Sequence, residues 1–206
     1  MKDAGIGRLL VASLHQGIAD RLPDRLEFYE NWLHPQGLRD GTIGLAPLHA
    51  VLSFLRTEGP AYDVVTATAG EYAAEWLMDE MTPLQKRWLA ALPLRFRRRS
   101  ALGLMRDLVS RTYSGSSTRV RVRRGVSILE VRGSIFCGVR DPVTYPLCRF
   151  YAAAAERLLA RAGMAVDTSV VACQATGHGV CHVQVLMRDP WAIAPEAARV
   201  EGEPVA

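Results

Sequence analysis

Four cysteines carry the most explicit chemistry in this chain, and Cys137, Cys148, Cys173 and Cys181 all fall in its final third. In a reducing compartment such residues read as thiols or metal ligands rather than as disulfides. Cys173 and Cys181 flank the segment Gln174 to Val180, and a hairpin there would bring the two sulfurs face to face. Cys148 opens an alanine-rich helix, whose N-terminal dipole favours a thiolate. Zinc takes about four nitrogen or sulfur donors in a tetrahedron. A helix start and a hairpin supply three of them. Cys137 completes the set if its strand end lies nearby, with His178 or His182 as substitutes. The spacing matches no common zinc-finger pattern, so four small buried hydrophobes are the competing reading.

A second group of residues could wall a ligand pocket. His49, Trp32, Phe54, Tyr72 and Trp76 belong to neighbouring predicted helices. An aromatic wall with one imidazole suits a flat apolar ligand, or the open axial position of a metal-centred tetrapyrrole. Plain core packing accounts for the same aromatics. His15 and the helical pairs of Glu27, Glu30, Glu71 and Glu75 read as hydrogen-bonded or solvated helix faces. No Ser–His nucleophile elbow and no Gly-x-Gly-x-x-Gly fingerprint between a strand and a helix is present, so neither a hydrolase nor a nicotinamide enzyme is indicated.

The elements that must position these residues change character midway. Ile6, Leu9, Leu10, Leu14 and Ile18 recur at helix spacing until Pro23 interrupts. Asp24 can open a second helix through Leu33, and Gly37 to Gly44 reads as a loop. Pro47 suits the first turn of a helix carrying Leu48, Val51, Leu52 and Leu55. Further helices are expected over 61–80, from the Thr82-Pro83 cap through Leu89, and over 98–112. Ser114 to Ser117 is the clearest linker. Beyond it the period drops to two. Strands are expected over 118–123 and 126–136 around an Arg124-Gly125 turn, then a helix over about 147–162 closed by Gly163. Strands over 166–175 and 180–187 follow, joined by Gly177-His178-Gly179. The prediction is an α+β fold, with a helical N-terminal layer (1–113) packed on a four-stranded antiparallel β-β-α-β-β sheet unit (118–188). Together these make a single small-molecule-binding domain over 1–189, with 190–206 as a flexible tail.

Net charge is +4 and unevenly placed. The stretch from Arg95 to Arg132 holds 11 arginines against Asp107 and Glu130. Such a run can neutralise phosphates. Here Arg119, Arg121 and Arg123 alternate with valines as on a strand with one wet face, and no aromatic residues interleave for base stacking. A solvated face is the favoured reading, with nucleic-acid binding held as an alternative. No segment reaches the roughly 18 apolar residues of a membrane span, and the N-terminus lacks a signal-peptide layout. A cytoplasmic protein is expected.

From Ile128 to Met187 the sequence resembles the 4-vinyl-reductase domain, a small-molecule-binding family related to the trafficking subunits of TRAPP complexes. Gly133-Ser-Ile-Phe136, Pro146-Leu-Cys148-Arg-Phe150, Cys173-x-Ala-x-Gly177 and Cys181 carry the resemblance. It implies a homodimer holding an apolar ligand between helices and sheet. It also implies zinc bound by three cysteines, matched here by Cys148, Cys173 and Cys181, and by a glutamate whose position is Val170 in this chain. Cys137 or a histidine would have to replace that glutamate. The family name derives from a bacteriochlorophyll-biosynthesis protein. The functional expectation is a non-catalytic carrier, sensor or accessory factor for a hydrophobic or aromatic small molecule, with a tetrapyrrole as candidate ligand. A pigment-biosynthesis enzyme of vinyl-reductase type and an Arg-rich nucleic-acid module are the alternatives.

Overall fold

In the computed structural model, described over residues 6–33, 44–123, 126–139 and 142–188, every segment with helical periodicity forms a helix. Helix α1 (Arg8–Arg21) buries Leu10, Val11, Leu14 and Ile18 along one face. It ends where Pro23 starts a single 3-10 turn, Pro23–Arg25, leading into α2 (Leu26–Leu33). Helix α3 (Leu45–Thr57) buries Leu48, Val51, Leu52 and Leu55, and α4 (Ala61–Asp79) runs through the middle of the helical layer. Helix α5 (Pro83–Ala91) opens with a complete capping box. Thr82 Oγ1 accepts from the Gln85 N–H, and the Gln85 side chain accepts from the Thr82 N–H. That reciprocal pairing satisfies two of the amides a helix start leaves bare.

Three boundaries differ from expectation by three or four residues, one of them the strand expected over 166–175, which ends at Ala172. Helix α6 covers Leu94–Thr112, four residues more than the apolar periodicity indicates. Arg97 accounts for part of the extension. Its guanidinium donates back to the Ala90 and Leu92 carbonyls at the end of α5, so an apparent surface charge closes a helix corner. Strand β2 (Val126–Arg132) stops four residues short of the expected 136. Gly133 takes φ +65°, and a Cβ there would stand 2.4 Å from the Gly115 carbonyl oxygen. The chain therefore leaves the sheet at Gly133 and forms the 3-10 turn Ile135–Cys137.

The sheet comprises β1 (Ser117–Arg123), β2, β3 (Val166–Ala172) and β4 (Cys181–Met187) in the order β1-β2-β4-β3, with every pairing antiparallel. Helix α7 (Arg149–Arg161) lies between this sheet and α4. Its run Ala152 to Ala155 is buried, as is Gly70 of α4 opposite, and the absence of large side chains lets the two backbones approach. Glu75 of α4 clamps Arg157 and Arg161 of α7 at the edge of that contact. One apolar core holds residues of both halves, among them Leu14, Leu52, Val65, Leu129, Phe150 and Val183. The fold is thus α+β, with helices first and a four-stranded antiparallel sheet second. The expected Arg124-Gly125 turn, most of the Gly37 to Gly44 loop and the 190–206 tail lie outside the described residues.

Candidate metal centre

Each cysteine sits where an element begins or ends. Cys137 closes the 3-10 turn after β2, and Cys148 is the N-cap of α7. Cys173 follows β3 directly, and Cys181 is the first residue of β4. Four element ends from the final third of the chain thus converge at one end of the sheet. The six sulfur–sulfur separations run from 3.1 Å (Cys148 to Cys181) to 4.0 Å (Cys173 to Cys181), with the three from Cys137 at 3.2, 3.3 and 3.5 Å. They bracket the roughly 3.8 Å edge of a tetrahedron whose metal–sulfur bonds are about 2.3 Å. Cys148, Cys173 and Cys181 are fully buried and Cys137 is partly exposed.

Backbone donors aim at this cluster. The Leu147 N–H donates to Cys173 Sγ at 3.4 Å, and the Gln174 N–H donates to Cys181 Sγ at 3.3 Å. Such bonds stabilise sulfur that carries negative charge. Proton sharing splits the four thiols. Hydrogen bonds from Cys137, Cys148 and Cys181 hold the Cys173 thiol far below its usual range. Sharing with Cys137 pushes Cys148 and Cys181 up. Four thiolates packed this closely repel one another strongly, and a divalent cation at their centre removes that repulsion.

The surrounding shell is built from residues the sequence does not single out. Tyr62, fully buried on α4, donates its hydroxyl to the Leu147 carbonyl at 3.1 Å and so fixes the residue preceding Cys148. Burial raises the Tyr62 phenol well above its ordinary range, opposed by the nearby Arg56 guanidinium. Arg56 itself keeps Nε and Nη2 buried without a hydrogen-bond partner. Tyr62→Phe leaves the Leu147 carbonyl unpaired, and we expect it to cost about 1–2 kcal/mol in urea unfolding. An unchanged urea midpoint contradicts that role. Ser134 approaches Cys148 Sγ at 3.5 Å, and the Gln174 side chain ties Ser134 N–H to Gly179 O across the hairpin.

The residues expected to wall a ligand pocket are placed in three locations. Trp32 and Phe54 pack together with Phe28 across α2 and α3, each more than a third exposed. Tyr72 and Trp76 pack on one another on α4 at 5.6 Å, and the Tyr72 hydroxyl donates to Asp20. His49 lies beside the cysteine segment, its Nε2 3.3 Å from where a Cβ on Gly138 would stand. Of the other histidines, His15 meets Glu30 at 2.8 Å, His178 meets Thr176 at 3.1 Å, and His182 approaches Glu130 at 3.8 Å. Among the described residues the four cysteines are the one cluster of His, Cys, Asp or Glu donors able to hold a metal ion.

Comparison with known proteins bears on the architecture. An H-NOX protein from S. oneidensis, solved in the Fe(II)NO ligation state, superposes with a TM-score of 0.58 over 89% of this chain and 100% of its own, at 11% sequence identity. A mutant H-NOX protein from K. algicida, in the Fe(II) unliganded state, gives 0.57 over 91% and 99%, at 9% identity. The fold is H-NOX-like. No protein-family model matches the sequence, and no curated protein matches it. The resemblance to the 4-vinyl-reductase domain is therefore overturned: no family model supports it, and the solved structures that share this fold over nearly the whole chain are H-NOX proteins. The short Cys and Gly motifs that suggest it mark turns and helix starts that different families can share.

His49, the imidazole expected to offer an axial position, packs against Gly138 rather than standing among Trp32, Phe54, Tyr72 and Trp76. The sulfur tetrahedron instead matches the preference of zinc, or of a single iron held by four thiolates. Among the described residues no helix is long and apolar enough to cross a membrane.

Proposed function

We propose that this chain is a non-catalytic, small-molecule-binding sensor domain whose sheet and helices are locked together by one zinc ion on Cys137, Cys148, Cys173 and Cys181. The convergence of four sulfurs from four separate segments is the observation that carries the metal. Zinc there would supply charge neutralisation and a covalent-strength tie between β2, α7 and the β3–β4 hairpin. The Arg56 guanidinium, whose Nε and Nη2 are buried, places positive charge beside Tyr62 in the shell of a centre that would carry a net charge of about −2 with four thiolates. A closed four-ligand site leaves no open coordination position, which suits structure rather than catalysis.

The sensor reading is supported by fold. H-NOX proteins sharing it are known in Fe(II)NO, Fe(II)CO and unliganded Fe(II) states, so the architecture hosts exchangeable small ligands. For this chain the ligand class we propose is hydrophobic or aromatic, and a tetrapyrrole is its most demanding version. Elemental analysis of the purified protein tests the metal, with one zinc per chain expected. Iron in that stoichiometry, or no metal, overturns zinc. Titration with a free-base porphyrin, with and without a reductant, tests the rest. Saturable binding with the porphyrin returned unchanged supports a binding domain. Consumption of the porphyrin favours an enzyme instead, and no binding removes the tetrapyrrole version.

A further inference from the structure

A groove at the β1 edge of the sheet, the edge opposite β3, concentrates arginine side chains. It lies between α6 and β1, encloses about 470 Å³, and is lined by Arg95, Arg98, Arg99, Gly103, Arg106, Val120 and Val122. Four guanidiniums share this lining, and no carboxylate is among its residues. Several arginines outside the groove are paired with carboxylates: Arg111 with Asp107 and Glu80, Arg157 and Arg161 with Glu75, and Arg188 with Asp167. Among the described residues neither Arg99 nor Arg106 makes an ion pair. Arg95 lies over the Phe96 ring, 4.6 Å from its centroid.

Gly103 provides the independent observation. It sits inside α6, where glycine costs about 1 kcal/mol relative to alanine. Close packing does not require it, because a Cβ built there meets nothing within 4 Å, and its φ is not positive. The glycine therefore leaves space open on the α6 side of the groove. Concentrated positive charge around a kept hollow is the signature of an anion site.

We infer that this groove binds an anion carrying several clustered phosphates. One carboxylate takes up one or two guanidinium forks, whereas linked phosphates offer enough oxygens and charge for several. Val120 and Val122 line the β1 side without a polar group that competes for the anion.

Inorganic tripolyphosphate is the probe for a soluble ligand, and phosphatidylcholine vesicles containing phosphatidylinositol bisphosphate are the probe for a lipid headgroup. We expect binding of at least one of them, weakening steeply between about 50 mM and about 200 mM salt. Arg99→Ala/Arg106→Ala should weaken it at least tenfold. Gly103→Leu should do the same by filling the hollow, with all charges kept and the helix no less stable. Arg119→Ala/Arg132→Ala removes equal charge outside the groove and should change affinity less than threefold. Groove-dependent binding of tripolyphosphate assigns a soluble phosphate ligand. Groove-dependent binding to vesicles alone assigns a headgroup. Binding of neither probe overturns the inference, as does equal loss in the groove and control variants or unchanged affinity in Gly103→Leu.

Discussion

Stripping the metal from this protein is expected to lower its thermal midpoint by about 10 °C or more. The cysteines join the end of the 3-10 turn after β2, the start of α7, the end of β3 and the start of β4. Zinc-finger peptides gain about 10–16 kcal/mol from such a site, because folding and binding are there one event. This chain also has a continuous apolar core, so only part of that energy should appear as stability. A site held at a thousandfold its dissociation constant contributes about 4 kcal/mol by mass action. For a chain of this size each kcal/mol moves the midpoint by about 2–4 °C. The same loss should follow from Cys173→Ser and from Cys181→Ser, each with metal content falling in parallel. Thermal scans with and without chelator, alongside elemental analysis of both variants, check this. Unchanged metal content and an unchanged midpoint in both variants would eliminate the metal centre.

Gly70→Ala should be the most damaging single methyl addition in the described helices. A Cβ at Gly70 would lie 2.2 Å from the Phe150 carbonyl oxygen and 3.2 Å from the Ala154 nitrogen. Both are backbone atoms of α7 and cannot swing aside, so one helix must shift. Overpacking of this kind costs about 1–3 kcal/mol and sometimes more. Alanine returns up to about 1 kcal/mol in helix propensity. We expect a net loss of about 2 kcal/mol, read as a lower urea midpoint. Phe150 lies just after Cys148 in the chain, so the shift should also loosen the metal site. Gly103→Ala is the internal control. There the methyl enters open space, and stability should rise by about 0.5–1 kcal/mol. Equal effects at the two positions would refute the close-approach argument.

Much of the site is legible in the sequence, for reasons that differ by residue. Cys173 and Cys181 bracket a turn, and their approach follows from hairpin geometry alone. Cys148 at the helix start is readable from Tyr145-Pro146 and the alanine run. Cys137 reads as a strand end, and it reaches the cluster because Gly133 ends that strand early and turns the chain inward. Only the close approach to the Gly115 carbonyl shows why a glycine must stand there. Tyr62 and Arg56 leave no signal beyond being a helical aromatic and a helical charge. For Gly103 the signal exists, since a glycine inside an otherwise apolar and basic helical run needs a reason.

The aromatic residues show the opposite case. Trp32 and Phe54 meet beside Phe28 on α2 and α3, while Tyr72 and Trp76 pack together on α4. Helical periodicity gives the face each residue occupies on its own helix. How the helices rotate against one another depends on side-chain packing between them. The sequence motifs mislead about the fold family for a related reason, because short motifs record turns and caps rather than the arrangement of layers.

The sequence alone determined the helices, the strands, their order and the α+β class, because hydrophobic period and capping act within a few residues of the backbone. Tertiary structure decided that Cys137 and Cys148 in fact reach the Cys173–Cys181 pair, that the arginines of α6 line a hollow against β1, and which aromatics touch. Those outcomes depend on contacts between residues far apart in the chain, summed over a whole core, and no local pattern encodes that sum.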